Sequence, residues 1–292
     1  MKIAVLGPVA KDIVEIDGVA NSYLGGIPYY EAVALDALGV DVTAYITYSK
    51  REEDLVKKSF NKIKTHPIYT DKTITHELSY RSKEPDIRNV RVVEYDESIF
   101  PVDDSLLDEL RSYDYIILGP LYHENIPFEF FEKMKDSNLI LNNFGIFTYL
   151  ENDKPVKKNK ENLSLVAPFI KYLFLDEKEI GFAGGKATIE DNAKYFFDLG
   201  IKLVVVTLGS KGSIIFTKDN TYTIPAFPPK ELVDPTGAGD TYVAGFMASE
   251  KIYSSLEDRG RFSAMVATMG IETQGAFSKS AEKVLARLKE IN

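Results

Sequence analysis

The sequence predicts an α/β protein: a central, mostly parallel sheet between helices, with a small β-sheet lid attached. Three observations carry that prediction. Unalternated apolar runs recur along the chain, amphipathic stretches lie between them, and two further regions alternate polar with apolar residues. Strands covered on both faces read as continuous apolar runs, whereas alternation marks a strand with one face exposed.

In chain order, residues 3–6 form the first buried strand, and residues 29–38 and 52–63 carry helical periodicity. A helix over 104–111 precedes a strand at 115–118, and a helix over 128–135 precedes a strand at 139–141. Strands at 172–175 and 203–208 bracket a helix over 189–199 that Gly200 ends. Helices over 241–251, 256–273 and 280–291 complete the chain. The alternating regions are 12–20 (DIVEIDGVA) and about 65–95, which includes Thr73-Ile74-Thr75-His76-Glu77-Leu78 and Val90-Arg91-Val92-Val93-Glu94-Tyr95. They read as strands of a small sheet that serves as a lid or as the contact of a homodimer. No Gly-, Ser- or Pro-rich linker and no internal repeat divides the chain, so residues 1–292 read as one domain.

Bulk composition narrows the function classes. With 35 Lys and Arg against 44 Asp and Glu, the net charge of -9 argues against a general binder of nucleic acid or anionic membranes. A small anionic ligand in a local site stays open. The absence of cysteine removes disulfides, thiol catalysis and cysteine-ligated metals. The opening apolar run IAVLGPVA is broken by Gly7 and Pro8, as in a first strand rather than a signal peptide. No stretch of about 18 apolar residues occurs. These features predict a soluble cytoplasmic protein.

The most informative stretch is Val233-Asp234-Pro235-Thr236-Gly237-Ala238-Gly239-Asp240-Thr241-Tyr242, which runs directly into a helical pattern. It is not a P-loop, and Gly184-Gly185-Lys186-Ala187-Thr188 fails that pattern after its lysine. It is not a dinucleotide loop either, because Tyr242 stands where the third glycine belongs. What remains is a turn whose amides face outward at a helix N-terminus, a seat for an anion. Asp240 then reads either as a helix cap or as a base beside a bound phosphoryl group. Phosphoryl transfer needs both parts: donors for the phosphoryl oxygens and a carboxylate for the attacking hydroxyl.

This stretch closely resembles the C-terminal signature of the ribokinase-like (PfkB) carbohydrate kinases, and further landmarks of that family follow in order along the whole chain. The resemblance implies a ribokinase-like fold and an ATP-dependent kinase that phosphorylates a hydroxyl of a small polyol. It implies Asp240 as catalytic base and Gly237, Ala238 and Gly239 as the anion hole. Asp234 and Thr236 match positions that hold a monovalent cation such as K⁺. Gly25, Gly26 and Tyr30 match the first signature, at the acceptor, and Asp12 matches an acid that binds acceptor hydroxyls. Asp176 and Glu179 fall where relatives organise Mg²⁺ through water, and Thr207, Gly209, Ser210 and Gly212 match the strand end that lines the nucleotide site.

Several positions depart from the family pattern. Tyr30 replaces an Asn, and Asp176 replaces another. Leu141-Asn142-Asn143-Phe144-Gly145-Ile146-Phe147-Thr148 lacks the Asp and following Arg of many sugar kinases, and Ala264 replaces a nucleotide-contacting Asn. With no cationic cluster for a phosphorylated acceptor, a neutral polyol is expected: a simple sugar, an inositol or a nucleoside. A non-catalytic relative that binds polyol or nucleotide is the alternative, opposed by the intact Asp240. His66, His76 and His123 have no metal-like spacing and read as structural or surface residues. Lys211 reads as solvent-exposed.

Overall fold

A computed structural model describes residues 1–16, 19–81, 84–142 and 144–291. Asp17 and Gly18 of the first lid run, Ser82 and Lys83 of the second, Asn143 and the final Asn292 lie outside the described residues.

The main sheet has nine strands. From one edge its order is Thr221–Ile224, Ser213–Phe216, Leu203–Thr207, Ile170–Asp176, Leu139–Asn142, Tyr115–Leu118, Lys2–Pro8, Asp41–Ser49 and Lys64–Thr70. The pairs from Leu203–Thr207 to the Lys64–Thr70 edge are parallel, and a terminal antiparallel hairpin extends the other edge. Period-2 side-chain alternation explains the unalternated apolar strands. In Lys2–Pro8, Ile3 and Val5 enter a core packed with residues of helices Ile27–Ala37, Ala238–Ser249 and Leu256–Gly270. Ala4 and Leu6 enter a second core with helices Asp104–Leu110, Phe128–Lys133, Glu177–Gly184 and Ile189–Asp198. Both faces are covered, so neither tolerates polar alternation. This is the layered sheet the apolar runs predict.

A four-stranded sheet stands apart, in the order Val19–Gly25, Ala10–Ile16, Ile74–Arg81, Glu84–Glu94. Its base packs on the body through a small cluster that includes Ala10, Ile74, Val92 and Tyr122. One part of the expected lid belongs elsewhere. Lys64–Thr70 pairs in parallel with Asp41–Ser49 and forms the edge of the main sheet. Its alternation reflects an edge strand with one face partly exposed, not a projecting sheet. Asp41–Ser49 itself, read from DVTAYITYS, hides its apolar character behind threonines that are nevertheless buried. A two-stranded hairpin, Thr148–Glu151 with Lys154–Lys157, completes the described sheets. Among the described residues no helix is long and apolar enough to cross a membrane.

Candidate active site

The carboxyl ends of three adjacent parallel strands converge on one crevice, the place where open α/β sheets bind ligands. Leu139–Asn142 ends in Asn142, Ile170–Asp176 ends in Asp176, and Leu203–Thr207 ends in Thr207. With Glu179, Gly239 and Asp240 these residues line a cavity of about 140 Å³. Sequence-predicted residues from three separate segments therefore meet there. Gly209, Ser210 and Gly212 lie just beyond Thr207, in and after a one-turn helix at Gly209–Lys211, and do not line the cavity.

Gly237 opens helix Ala238–Ser249 in a left-handed conformation, φ 72°. A side chain there would be strained and would also collide with the Tyr30 ring, since an added Cβ would lie 2.4 Å from Cδ1. The glycine turn is thus fitted against helix Ile27–Ala37. The Ala238 amide is already engaged, donating to the Pro235 carbonyl at 3.2 Å. The amides of Gly239 and Asp240 have no backbone acceptor among the described residues, so they are the donors this helix end leaves open.

Asp240 does not stand alone. The Asn142 amide nitrogen donates to Asp240 Oδ1 at 2.8 Å and to Glu31 Oε1 at 3.0 Å, one hydrogen to each acid. Burial pushes the Asp240 carboxyl up to about 7, against the Asn142 hydrogen bond that lowers it. Glu31 is fully buried, and its Oε2 has no partner among the described residues. Burial, then the nearby Asp240, holds its carboxyl well above the usual carboxylate range. Sequence reading missed Glu31 and gave Asn142 only as a departure. The signal was present: an acid inside an otherwise apolar helix stripe, between Tyr30 and Ala32.

At the start of helix Ile27–Ala37, Gly25 and Gly26 have distinct jobs. A Cβ on Gly25 would sit 2.2 Å from Asp12 Oδ2, so only glycine lets that carboxylate in. Gly26 caps the following helix at φ 95°. Asp12 Oδ1 lies 3.1 Å from His76 Nδ1, and His76 Nε2 lies 3.4 Å from the Tyr122 hydroxyl. His76 thus links Asp12 to Tyr122; period-2 alternation could not reveal that its strand pairs Asp12 directly with it. His66 stacks on Tyr45 and His123 on Tyr149, as structural rings do. The Tyr30 phenol, buried near Asp12, Asp234 and Asp240, is held firmly neutral by desolvation and by those charges.

Asp176 and Glu179 form a reciprocal capping box on helix Glu177–Gly184: Glu179 N–H donates to Asp176 Oδ1 at 2.7 Å, and Asp176 N–H to Glu179 Oε2 at 3.1 Å. Each acid keeps a second oxygen outside the box. Burial raises the Glu179 carboxyl to about 7, although the Lys157 ammonium 3.3 Å away opposes this. This oxygen-only pair fits a hydrated Mg²⁺ held through water. Asp234 fixes the preceding turn, accepting from Thr236 N–H at 2.9 Å and Gly275 N–H at 3.5 Å, and carboxylate oxygens keep lone pairs beyond one such bond.

The profile of the pfkB family carbohydrate kinases matches residues 12–283. The chain belongs to that family. A curated nucleoside kinase of Methanocaldococcus jannaschii is 32% identical over 134 residues, 45% of this chain and 43% of that protein. The chain spans less than half the length of the first curated relatives it matches. The structure of Arabidopsis thaliana ribokinase complexed with ribose and ATP aligns over 98% of both chains, with TM-score 0.80 and 21% identity. A pyrophosphate-dependent kinase of the ribokinase family, complexed with a pyrophosphate analogue and myo-inositol, aligns over 97% of this chain and 99% of its own, with TM-score 0.81 and 20% identity. These likenesses establish the ribokinase-like fold. Membership makes the chain a relative of phosphotransferases that act on alcohol acceptors.

Proposed function

We propose that the protein is a kinase that moves the γ-phosphoryl group of ATP to a hydroxyl of a small neutral polyol, with Asp240 as general base. The observation that carries this reading is the position of Asp240. Its carboxylate lies in the first turn of a helix whose adjacent amides are free for an anion, between the acid-lined cavity and the Asp12–Tyr30 wall. In this reading the acceptor O–H gives its proton to Asp240 while its oxygen attacks phosphorus and the bond to the departing ADP breaks. The amides of Gly239 and Asp240 steady the phosphoryl oxygens, with Gly237 and Ala238 shaping the turn. Mg²⁺, when bound, offsets phosphate charge, and Asp176 and Glu179 are the residues that would hold it. Asp234 and Thr236 are assigned to K⁺, and Thr207, Gly209, Ser210 and Gly212 to the nucleotide.

The acceptor is read as neutral because Asp12, Tyr30, His76 and Tyr122 face it, while the nearby Lys11 is spent on Glu52 at 3.1 Å. Related proteins are named for a nucleoside and for ribose and myo-inositol complexes, the same three classes. The test is incubation with Mg-ATP and a panel of simple sugars, inositols and nucleosides. A phosphorylated product from one class supports the reading and names the acceptor. ATP binding with no product from any class would favour a non-catalytic binding relative. The small sheet is also assigned as a homodimer contact, checked by sedimentation of the protein before and after charge substitutions on its strands.

A further inference from the structure

The donor cavity poses an electrostatic problem. Asp176, Glu179 and Asp240 line it and Glu31 lies behind Asn142, so a polyanionic phosphate chain meets carboxylates on several sides. The loop after Asn142 offers no arginine or lysine, and Lys211 turns its ammonium to Glu177, 3.2 Å away and exposed.

A cation arrives from another element. Asn152 and Asp153 both take positive φ, 49° and 60°, as the tight turn of hairpin Thr148–Glu151/Lys154–Lys157 requires. That turn fixes the register and sets Lys157 directly opposite Thr148. The Lys157 ammonium donates to the Phe144 carbonyl at 2.6 Å, to the Thr148 hydroxyl at 2.9 Å and to Glu179 Oε1 at 3.3 Å. It also lies 4.3 Å from the centre of the Phe144 ring. Phe144 and Glu179 are themselves cavity walls, and one-third of the Lys157 side chain (33%) is exposed.

We propose that Lys157 is the cation that receives the phosphates of the donor, delivered to the cavity by this hairpin in place of a charged residue at the strand end. The two short contacts anchor the ammonium. The contact to Glu179 is the longest of the three and the one to a charged partner, so a phosphate oxygen can replace it without unseating the side chain. The inference rests on the kinase reading and deepens its donor site.

The test is calorimetric binding of Mg-ATP, without acceptor, to wild type, Lys157→Met and Lys157→Arg, with thermal unfolding of each. Met keeps the packing under the aromatic rings and loses the charge; Arg keeps the charge. Lys157→Met should weaken Mg-ATP at least about tenfold, the scale of one charge-assisted hydrogen bond. Lys157→Arg should stay within about threefold of wild type. Should Lys157→Met not fold, Lys157→Gln carries the same comparison. Wild-type affinity in the neutral variant overturns the role of Lys157 alone, as does an equal loss in Lys157→Arg, which marks a structural lysine. A wild type that binds neither Mg-ATP nor inorganic pyrophosphate overturns the donor reading itself.

Discussion

Around Asp240 the two walls that the proposed function assigns to donor and acceptor are built by different means. The donor wall carries Asp176, Glu179 and the Lys157 ammonium, set by strand ends, a capping box and a tight hairpin. The acceptor wall is a relay of Asp12, His76 and Tyr122 that runs from strand Ala10–Ile16 to its neighbour in the small sheet and on to the body. The first wall gathers two carboxylates and an ammonium, whereas the second sets a single carboxylate against an imidazole and a phenol. The two meet where the Tyr30 ring closes on Gly237, and again where the Val92 amide of the small sheet donates to the Asp153 carbonyl at the hairpin turn, 2.8 Å. The difference teaches where each kind of defect should register: at Asp240 in turnover, on the acceptor wall in affinity for the acceptor.

The largest break is at the junction itself. Asp240→Asn should lower kcat by at least about 10²-fold while leaving nucleotide binding in place. A base in the proposed role works only when ionised, so wild-type kcat/KM should fall as pH drops below about 7, the region to which burial raises this carboxyl. Stability moves the other way. A carboxyl raised above its unfolded value contributes stability at low pH that is lost as pH rises through about 7. Asp240→Asn should therefore raise the melting temperature at pH 8 and lose that advantage near pH 4. Near-normal turnover in the variant would sink the assigned role.

The next effect is at Asn142. Its hydrogen bond lowers the proton affinity of Asp240, so Asn142→Ala should move the acid limb of kcat/KM to higher pH. A rise of about one pKa unit would remove roughly fivefold in kcat/KM at pH 7, where the wild-type carboxyl is about half ionised, and roughly tenfold well below it. An unmoved acid limb would show that Asn142 is a spacer. A smaller effect belongs to the acceptor wall. His76→Ala frees Asp12 to wander and should raise the acceptor KM by roughly threefold to tenfold, one ordinary hydrogen bond, with kcat little changed. An equal fall in kcat at saturating acceptor would mean the two walls are not separable.

Why some of this was legible follows from range. Parallel strands buried on both faces leave their mark in every residue, so 3–6, 115–118 and 139–141 stand out, and VDPTGAGD carries its turn chemistry within eight residues. Asp41–Ser49 did not stand out, because its buried threonines break the apolar run. Asn142 and Lys157 become neighbours of Asp240 and Glu179 only through strand order and hairpin register, at sequence separations that no local pattern encodes. The Asn-Asp pair at 152–153 did carry a local turn signal, and it would have placed Lys157 opposite Thr148.

Lys211 supplies the smallest effect and the sharpest control on the donor wall. Like Lys157 it is a lysine beside a strand end at the donor side, in the turn that follows Leu203–Thr207. Its partner Glu177 lies in the first turn of helix Glu177–Gly184, and both side chains are more than half exposed, 68% and 51%. Such a pair is screened by solvent and contributes little. Lys211→Ala should leave the melting temperature unchanged within error and the Mg-ATP dissociation constant within about twofold, as surface substitutions usually do. If this variant weakened Mg-ATP as much as Lys157→Met, the donor's phosphates would be held by general positive charge along the crevice rather than by a cation fixed in the hairpin register. The charge contrast between the two walls would then survive, but its origin would lie in the crevice as a whole.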